Sequence, residues 1–196
     1  RMELYRTSLD ILRLSGCIYP SPHSRKEIEA ETPGRSPVDG DVIFPASLRR
    51  DPVGGDESAA PVAWRFRVPD GRRMRFEDGR TGEKTYTAGQ DFGDFLVWRK
   101  EDVPAYELAV VVDDHAMAIS EVVRGEDLLL STARQLLLYE ALQWNAPDRY
   151  HCPLVADPQT GARMSKTHRS LGLRALRERG YPPGLKPSRY LRGFII

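Results

Sequence analysis

A short loop near the end of the chain places two basic residues on either side of a hydroxyl group. It reads Arg-Met-Ser-Lys-Thr from Arg163 to Thr167. An ammonium group near a triphosphate stabilises the charge that builds up on the leaving pyrophosphate, and Lys166 is a compact cation on a flexible stem. Ser165 and backbone N–H groups add hydrogen-bond donors. The alternative is a solvated basic loop, because short motifs often match by chance.

Arg124 and Tyr106 are the other side chains whose chemistry suits a small ligand. Arg124 ends an apolar stretch and precedes a glycine, and a guanidinium in that position can bind a carboxylate through two parallel hydrogen bonds. The alternative is an ion pair with Glu126 or Asp127. The Tyr106 hydroxyl can hydrogen-bond an amino-acid ligand. The alternative for this side chain is packing in the core.

Three segments together carry a resemblance to a known family. They are Tyr106-Glu-Leu-Ala-Val-Val-Val-Asp-Asp114, Glu121-Val-Val-Arg-Gly-Glu-Asp-Leu128 and the Arg163–Thr167 loop. In this order they resemble the second half of the catalytic domain of glutamyl-tRNA synthetase-like proteins, which are class I aminoacyl-tRNA synthetases. The resemblance extends over residues 1–180 and implies an α/β, Rossmann-like catalytic domain.

The resemblance also implies roles for particular residues. Lys166 matches the second lysine of the family's Lys-Met-Ser-Lys-Ser nucleotide loop, which makes it the catalytic residue that stabilises the phosphates. The loop as a whole matches the family's ATP-binding residues, here Arg163, Met164, Ser165, Lys166 and Thr167. The family's contacts to the glutamate substrate fall on Tyr106 and Arg124.

Some features of the family have no counterpart in this sequence. Class I synthetases carry a His-Ile-Gly-His-like signature at a helix N-terminus beneath the ATP phosphates, and none of the four histidines has that context. We therefore expect an N-terminally truncated catalytic domain. Only 29 residues follow Thr167, so we expect no anticodon-binding domain. In this respect the sequence resembles the shorter glutamyl-queuosine tRNA(Asp) synthetases, and the resemblance implies activation of glutamate with ATP and its transfer to queuosine in the anticodon.

Two other functions stay open from the sequence. One is a truncated glutamyl-tRNA synthetase that charges the tRNA 3′ end. The other is an inactive fragment that binds nucleotide or RNA. Under the favoured interpretation the partners are L-glutamate, ATP with Mg²⁺, and tRNA(Asp) carrying queuosine.

The sequence predicts no metal site. Relatives often carry four zinc ligands at positions that read Ser21, His23, Phe44 and Leu48 here. Only the histidine can ligate zinc, and a structural zinc site needs four nitrogen or sulfur ligands. The run Asp113-Asp114-His115 also looks like a metal cluster. If it lies on a strand, its neighbouring side chains point to opposite faces, so we predict a structural role.

Composition limits the class of protein. The chain has 196 residues, enough for one domain with a core, and its net charge of +1 gives no overall attraction to nucleic acid or membrane. No apolar run approaches the ~18–20 residues that cross a bilayer. Arg1-Met-Glu-Leu is no signal peptide. We expect a cytoplasmic monomer without a membrane partner, in which Cys17 and Cys152 are reduced thiols.

The first 60 residues combine helix and loop. Apolar residues at helical spacing predict a helix over 2–15, closed by Gly16. Residues 17–62 are rich in Pro, Gly, Ser and charge, with one short helix predicted over Arg25–Glu31. Residues 51–60 are expected to be mobile.

A β-rich insertion is predicted over about 62–98. Alternating apolar and polar residues predict a half-buried strand over 62–68. The turn sequence Pro69-Asp-Gly71 would allow Met74–Phe76 to pair with that strand. Phe95–Trp98 is a further strand.

The segment after residue 106 alternates between helix and strand. The β-branched run Leu108–Val112 favours a strand by propensity, whereas the family resemblance implies a helix. A strand is predicted over Ile119–Arg124. A helix through 134–142 is expected to be capped by Ser131 or Thr132.

The end of the chain continues this alternation. A strand is predicted over 150–155, a turn over 157–161 and a helix over 171–179 that Gly180 closes. Such alternation favours a parallel sheet with crossover helices, whose ligands lie at the carboxyl ends of the strands. We divide the catalytic domain into residues 1–100, with the insertion, and 101–196, with the nucleotide loop.

Overall fold

The computed structural model describes residues 1–32, 34–50, 62–154, 173–178 and 180. The chain divides into two compact units, residues 1–151 and 152–196. The predicted division at residue 100 stays a prediction. The segment predicted to be mobile, the turn 157–161 and the loop Arg163–Thr167 lie outside the described residues.

Helix α1 (Met2–Leu14) confirms the first predicted helix. Ser8, Leu9 and Leu12 are its buried residues, and their spacing places them on one face. The helix is followed by Gly16 at φ +70°, a conformation that favours glycine. The Gly16 N–H donates to a carbonyl in the last helical turn.

Among the described residues up to 104, six strands follow: β1 (Ile18–Ser21), β2 (Ala63–Phe66), β3 (Arg73–Asp78), β4 (Gly82–Thr87), β5 (Phe95–Arg99) and β6 (Val103–Pro104). Four of them form an antiparallel sheet in the order β1-β2-β5-β6. The other two, β3 and β4, form a separate antiparallel hairpin. The predicted β-rich segment is confirmed, and β1 is an additional strand.

The pairing predicted for Met74–Phe76 is wrong. Both edges of β2 are occupied by β1 and β5, so β3 has no free edge of β2 to join. Its partner is the next strand, β4. The turn between them is held by Asp78, whose Oδ1 accepts the backbone N–H groups of Arg80 and Thr81.

A second, small hydrophobic cluster organises the segment after β1. Helix α2 (Arg25–Glu31) is confirmed and begins with a capping box between Ser24 and Glu27. Its buried Ile28 packs with Tyr19 and Phe44. This loop-rich segment is therefore ordered by apolar packing.

Helix α3 (Tyr106–Ala116) occupies the segment where propensity favoured a strand. The helix implied by the family resemblance is confirmed. Leu108, Val111 and Val112 are buried at helical spacing against the core. Tertiary packing of this face outweighs the β-propensity of the valines.

A strand, a helix and a strand follow α3. These are β7 (Glu121–Gly125), α4 (Leu129–Ala141) and β8 (Asp148–Cys152), and the two strands pair. The helix begins earlier than predicted, and the predicted cap is wrong because Leu128 occupies the N-cap without a side-chain bond. Ser131 and Thr132 lie inside the helix.

In the second unit, α5 (Leu173–Glu178) falls within the helix predicted over 171–179. Gly180 has φ +76°, and its N–H donates to the Arg177 carbonyl. Among the described helices, none combines the length and apolar character needed to cross a membrane.

Candidate active site

Arg124 lies near the end of β7 and is held by four hydrogen bonds. Its Nε–H donates to Nε2 of His151 at 3.1 Å, and Nη1 donates to Oε1 of Gln135 at 3.0 Å. Nη2 donates to Oγ1 of Thr132 at 2.7 Å and to the Leu128 carbonyl at 3.2 Å. These bonds take four of the five N–H groups of a guanidinium.

The remaining N–H, on Nη1, determines how Arg124 can bind a carboxylate. A carboxylate that approaches Arg124 in this geometry meets one N–H without a partner among the described residues. The expected two-bond grip therefore requires one protein bond to be released. Glu126 forms an ion pair with Arg80.

His151 and Asp78 form a fully buried pair behind Arg124. The two side chains have 0% exposure, and Nδ1 of His151 lies 2.6 Å from Oδ2 of Asp78. Because Nε2 accepts a hydrogen bond from Arg124, the proton of the neutral ring must lie on Nδ1. Burial and the charge of Arg124 lower the pKa of His151, although the bond to Asp78 opposes this shift.

Asp78 stays a carboxylate despite its burial. Burial alone would raise its pKa, but hydrogen bonds from His151, Thr81 and Arg80 hold the pKa well below its usual range. The charges of Arg124 and Arg149 act on His151, and the Arg80 guanidinium donates to the His151 carbonyl. A neutral imidazole therefore lies between a carboxylate and guanidinium groups.

This pair predicts a loss of stability in acid. Below its ordinary pKa of 6.5, the unfolded His151 binds a proton that the folded one does not, so stability falls as the pH drops. Asp78 adds a further loss below its ordinary value of 3.8. We expect the free energy of unfolding, measured with urea, to fall between about pH 7 and about pH 5.

The control for this prediction is His151→Gln, in which the titrating imidazole is absent. Its unfolding free energy is expected to change less over the same pH interval. An equal change in wild type and variant would contradict the assignment.

Glu107 is a buried carboxylate that is linked to Arg124 through Gln135. It accepts hydrogen bonds from Ser131 and from Nε2 of Gln135, both at 2.8 Å. Burial raises the pKa of Glu107. Glu107 was not among the predicted site residues. Its signal was the position beside Leu108 on the buried face of α3, which is visible only when the segment is treated as a helix.

Tyr106 is exposed at the first turn of α3. Its relative exposure of 52% excludes the alternative of core packing. It lines an open cleft of about 900 Å³ together with Glu107, Arg134 and Arg65, and Arg124 is not among the lining residues. Within the described part of the chain, hydrogen bonds connect Arg124 to Gln135 and Gln135 to Glu107, the residue next to Tyr106. The predicted ATP-binding and catalytic residues, Arg163–Thr167, lie outside the described part of the chain.

The segment that matches the family's zinc ligands does not fit zinc. Ser21 accepts a hydrogen bond from Arg65 at 3.2 Å, and Phe44 and Leu48 pack in the small hydrophobic cluster. Within the described ranges, no three His, Cys, Asp or Glu residues are grouped so that they could hold a metal ion. His23 thus lacks companion ligands at the matched positions.

A buried ion pair anchors this same segment to the sheet. Asp94, with 0% side-chain exposure, accepts Nε and Nη2 of Arg49, both at 2.8 Å. It also accepts the Tyr19 hydroxyl at 2.6 Å and the Val68 N–H at 2.9 Å. One carboxylate therefore joins β1, the chain before residue 50 and the start of the β2–β3 connection.

The residues Asp113, Asp114 and His115 lie on α3, so the strand argument for their role is wrong. Each of the three side chains nevertheless contacts a different partner. Asp113 accepts the Tyr5 hydroxyl at 2.8 Å, Asp114 lies 3.9 Å from Arg149, and the His115 ring stacks on Trp144.

Comparison with known proteins identifies the family. The pattern described as "tRNA synthetases class I (E and Q), catalytic domain" matches residues 45–193. The chain is 39% identical over 186 residues to the glutamyl-Q tRNA(Asp) synthetase of Nitratidesulfovibrio vulgaris, covering 93% of this chain and 57% of that protein. It is 38% identical over 202 residues to glutamate–tRNA ligase 1 of Methylorubrum extorquens, covering 100% and 40%.

Solved structures agree with this result. The crystal structure of glutamate-tRNA synthetase from Elizabethkingia anophelis superposes with a TM-score of 0.70 at 25% identity, covering 93% of this chain and 37% of that chain. A glutamate tRNA ligase from Elizabethkingia meningosepticum, solved in complex with its amino acid, gives 0.69 at 27% identity with the same coverage. The predicted α/β, Rossmann-like fold class is thereby confirmed. The chain belongs to the class I tRNA synthetases (E and Q) and carries sequence of their catalytic domain.

Proposed function

We propose that the complete protein activates L-glutamate with ATP and transfers it to queuosine in the anticodon of tRNA(Asp). The observation that carries the glutamate assignment is Arg124, a guanidinium fixed by four protein bonds whose fifth N–H has no partner among the described residues. The queuosine assignment is supported by relatives at 38–39% identity that are named glutamyl-Q tRNA(Asp) synthetases.

The reaction has two steps. An α-carboxylate oxygen of glutamate attacks the α-phosphorus of ATP, and the bond to pyrophosphate breaks to leave glutamyl-adenylate. A queuosine hydroxyl then attacks the acyl carbon, loses its proton, and AMP departs. Arg124 and Tyr106 hold glutamate, and Lys166 stabilises charge on the phosphates of the ATP–Mg²⁺ substrate. Positioning and charge stabilisation are sufficient for this chemistry, without a side-chain base.

Lys166→Ala is expected to lower glutamate-dependent ATP–pyrophosphate exchange by at least about tenfold, or about 1.4 kcal/mol. The reason is the loss of a positive charge from the phosphates in the transition state. Exchange is measured in the full-length gene product. The control is Lys26→Ala, which removes an exposed lysine of α2. Wild-type exchange in Lys166→Ala would refute the catalytic role.

The tRNA that accepts glutamate tests the second half of the proposal, the transfer to queuosine. Labelled glutamate is expected to transfer to tRNA(Asp) that carries queuosine, and not to tRNA(Asp) that lacks queuosine or to tRNA(Glu). Transfer to the 3′ end of tRNA(Glu) would instead establish a glutamyl-tRNA synthetase.

The glutamyl-tRNA synthetase function is favoured by one observation, the 38% identity to a protein named glutamate–tRNA ligase 1 over the whole of this chain.

A third outcome concerns the activation of glutamate. Full-length protein that shows no exchange with glutamate and transfers glutamate to neither tRNA would leave only the nucleotide- or RNA-binding function.

A further inference from the structure

We infer that Asp78 and Glu107 act through His151 and Gln135 as positioning residues, which hold the Arg124 guanidinium in one orientation and leave one N–H for the carboxylate of glutamate. The inference concerns how this chain prepares Arg124, and it rests on the proposed function for the identity of the ligand. None of the four residues was singled out by the sequence.

The first branch begins at a rigid carboxylate. Oδ1 of Asp78 accepts the N–H groups of Arg80 and Thr81 and the Thr81 hydroxyl, at 3.2, 2.9 and 2.8 Å. Oδ2 accepts both the backbone N–H and the ring Nδ1–H of His151, at 3.0 and 2.6 Å. Asp78 is thus fixed by the β3–β4 turn and by β8 at the same time, and it can rotate only by breaking several bonds.

This fixed carboxylate selects the tautomer of His151. With the proton on Nδ1, Nε2 has a lone pair and accepts the Nε–H of Arg124. With the proton on Nε2, two donors would face each other and the guanidinium would have to turn away. Asp78 therefore acts on Arg124 across the imidazole ring.

Glu107 orients Arg124 through the amide of Gln135, as Asp78 does through the imidazole of His151. Gln135 donates through Nε2 to Glu107 and accepts through Oε1 from Nη1 of Arg124. The reversed amide would place its NH₂ group against the guanidinium and its oxygen against the carboxylate. Glu107 therefore fixes which end of the amide faces Arg124.

The two branches together account for the orientation of Arg124. One restrains Nε and the other Nη1, while Thr132 and the Leu128 carbonyl take both N–H groups of Nη2. The carboxylates each lie one side chain away, so they offset the positive charge without forming a direct ion pair. A protein carboxylate paired directly with Arg124 would compete with the ligand for the same N–H donors.

The test compares three kinds of variant in the full-length gene product. His151→Leu removes the acceptor for Nε, and we expect the KM for glutamate in ATP–pyrophosphate exchange to rise by about tenfold. The KM for ATP is expected to stay unchanged. His151→Gln offers an amide oxygen to Arg124 and is expected to recover most of the loss. His115→Leu, the same change outside this network, is expected to leave both KM values unchanged.

A second measurement needs no variant and no activity. Nitrogen NMR of the wild-type imidazoles is expected to show His151 protonated on Nδ1 only, at neutral pH. The inference is overturned if His151 carries its proton on Nε2, or if His151→Leu folds and retains the wild-type KM for glutamate.

The proposed function can fail separately. If the wild-type protein neither binds nor activates glutamate, the ligand assignment is wrong, and the NMR result alone then decides the positioning inference. An Nδ1 proton supports the inference, and an Nε2 proton overturns it.

Discussion

Replacement of Arg124 by lysine is expected to lower glutamate-dependent ATP–pyrophosphate exchange by about a hundredfold, or about 2.7 kcal/mol. Lysine keeps the charge but has three donors on one nitrogen, whereas the guanidinium spreads its bonds over a planar fork. An ammonium cannot reach His151, Gln135 and Thr132 together and also keep a donor for glutamate. The buried acceptors that it abandons add a cost of their own.

The control for this change is Arg75→Lys. Arg75 is 59% exposed and lies 3.6 Å from Glu83, so its replacement is expected to leave exchange unaffected. Exchange in Arg124→Lys within about threefold of wild type, less than about 1 kcal/mol, would show that Arg124 does not bind substrate. Melting temperatures of both variants separate loss of fold from loss of binding.

Asp94→Ala is expected to lower the free energy of unfolding by about 3–5 kcal/mol. The change leaves the Arg49 guanidinium, 13% exposed, without its buried partner. It also removes the acceptor of the Tyr19 hydroxyl and of a buried backbone N–H. Burial raises the pKa of Tyr19, so in the variant its hydroxyl stays neutral and loses the acceptor that Asp94 supplied.

The matched control is Asp70→Ala, because Asp70 pairs with the same guanidinium from a half-exposed position. Exposed ion pairs contribute about 0–1 kcal/mol, so a small effect is expected. Urea unfolding measures both variants. Equal destabilisation by the two changes would contradict the view that the buried carboxylate is the anchor of this segment.

Local signals predicted the elements that depend on neighbours in sequence. The short helix α2 was predicted with the bounds that it has, and Gly16 was identified as the residue that closes α1. The valines of α3 show the limit of such signals. Their β-propensity favoured a strand, yet burial of one helical face decided the structure. The choice became visible only through the family resemblance.

Strand pairing and the surroundings of Arg124 depend on residues far apart in the chain. β3 joins β4 because β1 already occupies the edge of β2 that the sequence left open, and β1 itself was not predicted. Arg124 was identified from its place after a strand. Its partner His151 and the carboxylate of Asp78 are separated by 73 residues, and no spacing in the sequence connects them.

At the positions that match the family's zinc ligands, part of the outcome was visible in the sequence and part depends on contacts between distant residues. The sequence showed that Ser21, Phe44 and Leu48 do not supply the nitrogen or sulfur ligands of a structural zinc site. The structure adds the Asp94–Arg49 ion pair and the cluster around Tyr19, which order the segment by burial and charge.

The claim that Arg124 holds glutamate is tested most directly by a crystal structure of the full-length gene product with L-glutamate bound. We expect the side-chain carboxylate of glutamate to lie about 3 Å from Nη1 of Arg124, with the bonds to His151 and Gln135 retained or only one of them released. Glutamate bound elsewhere, with Arg124 contacting protein atoms alone, would contradict it.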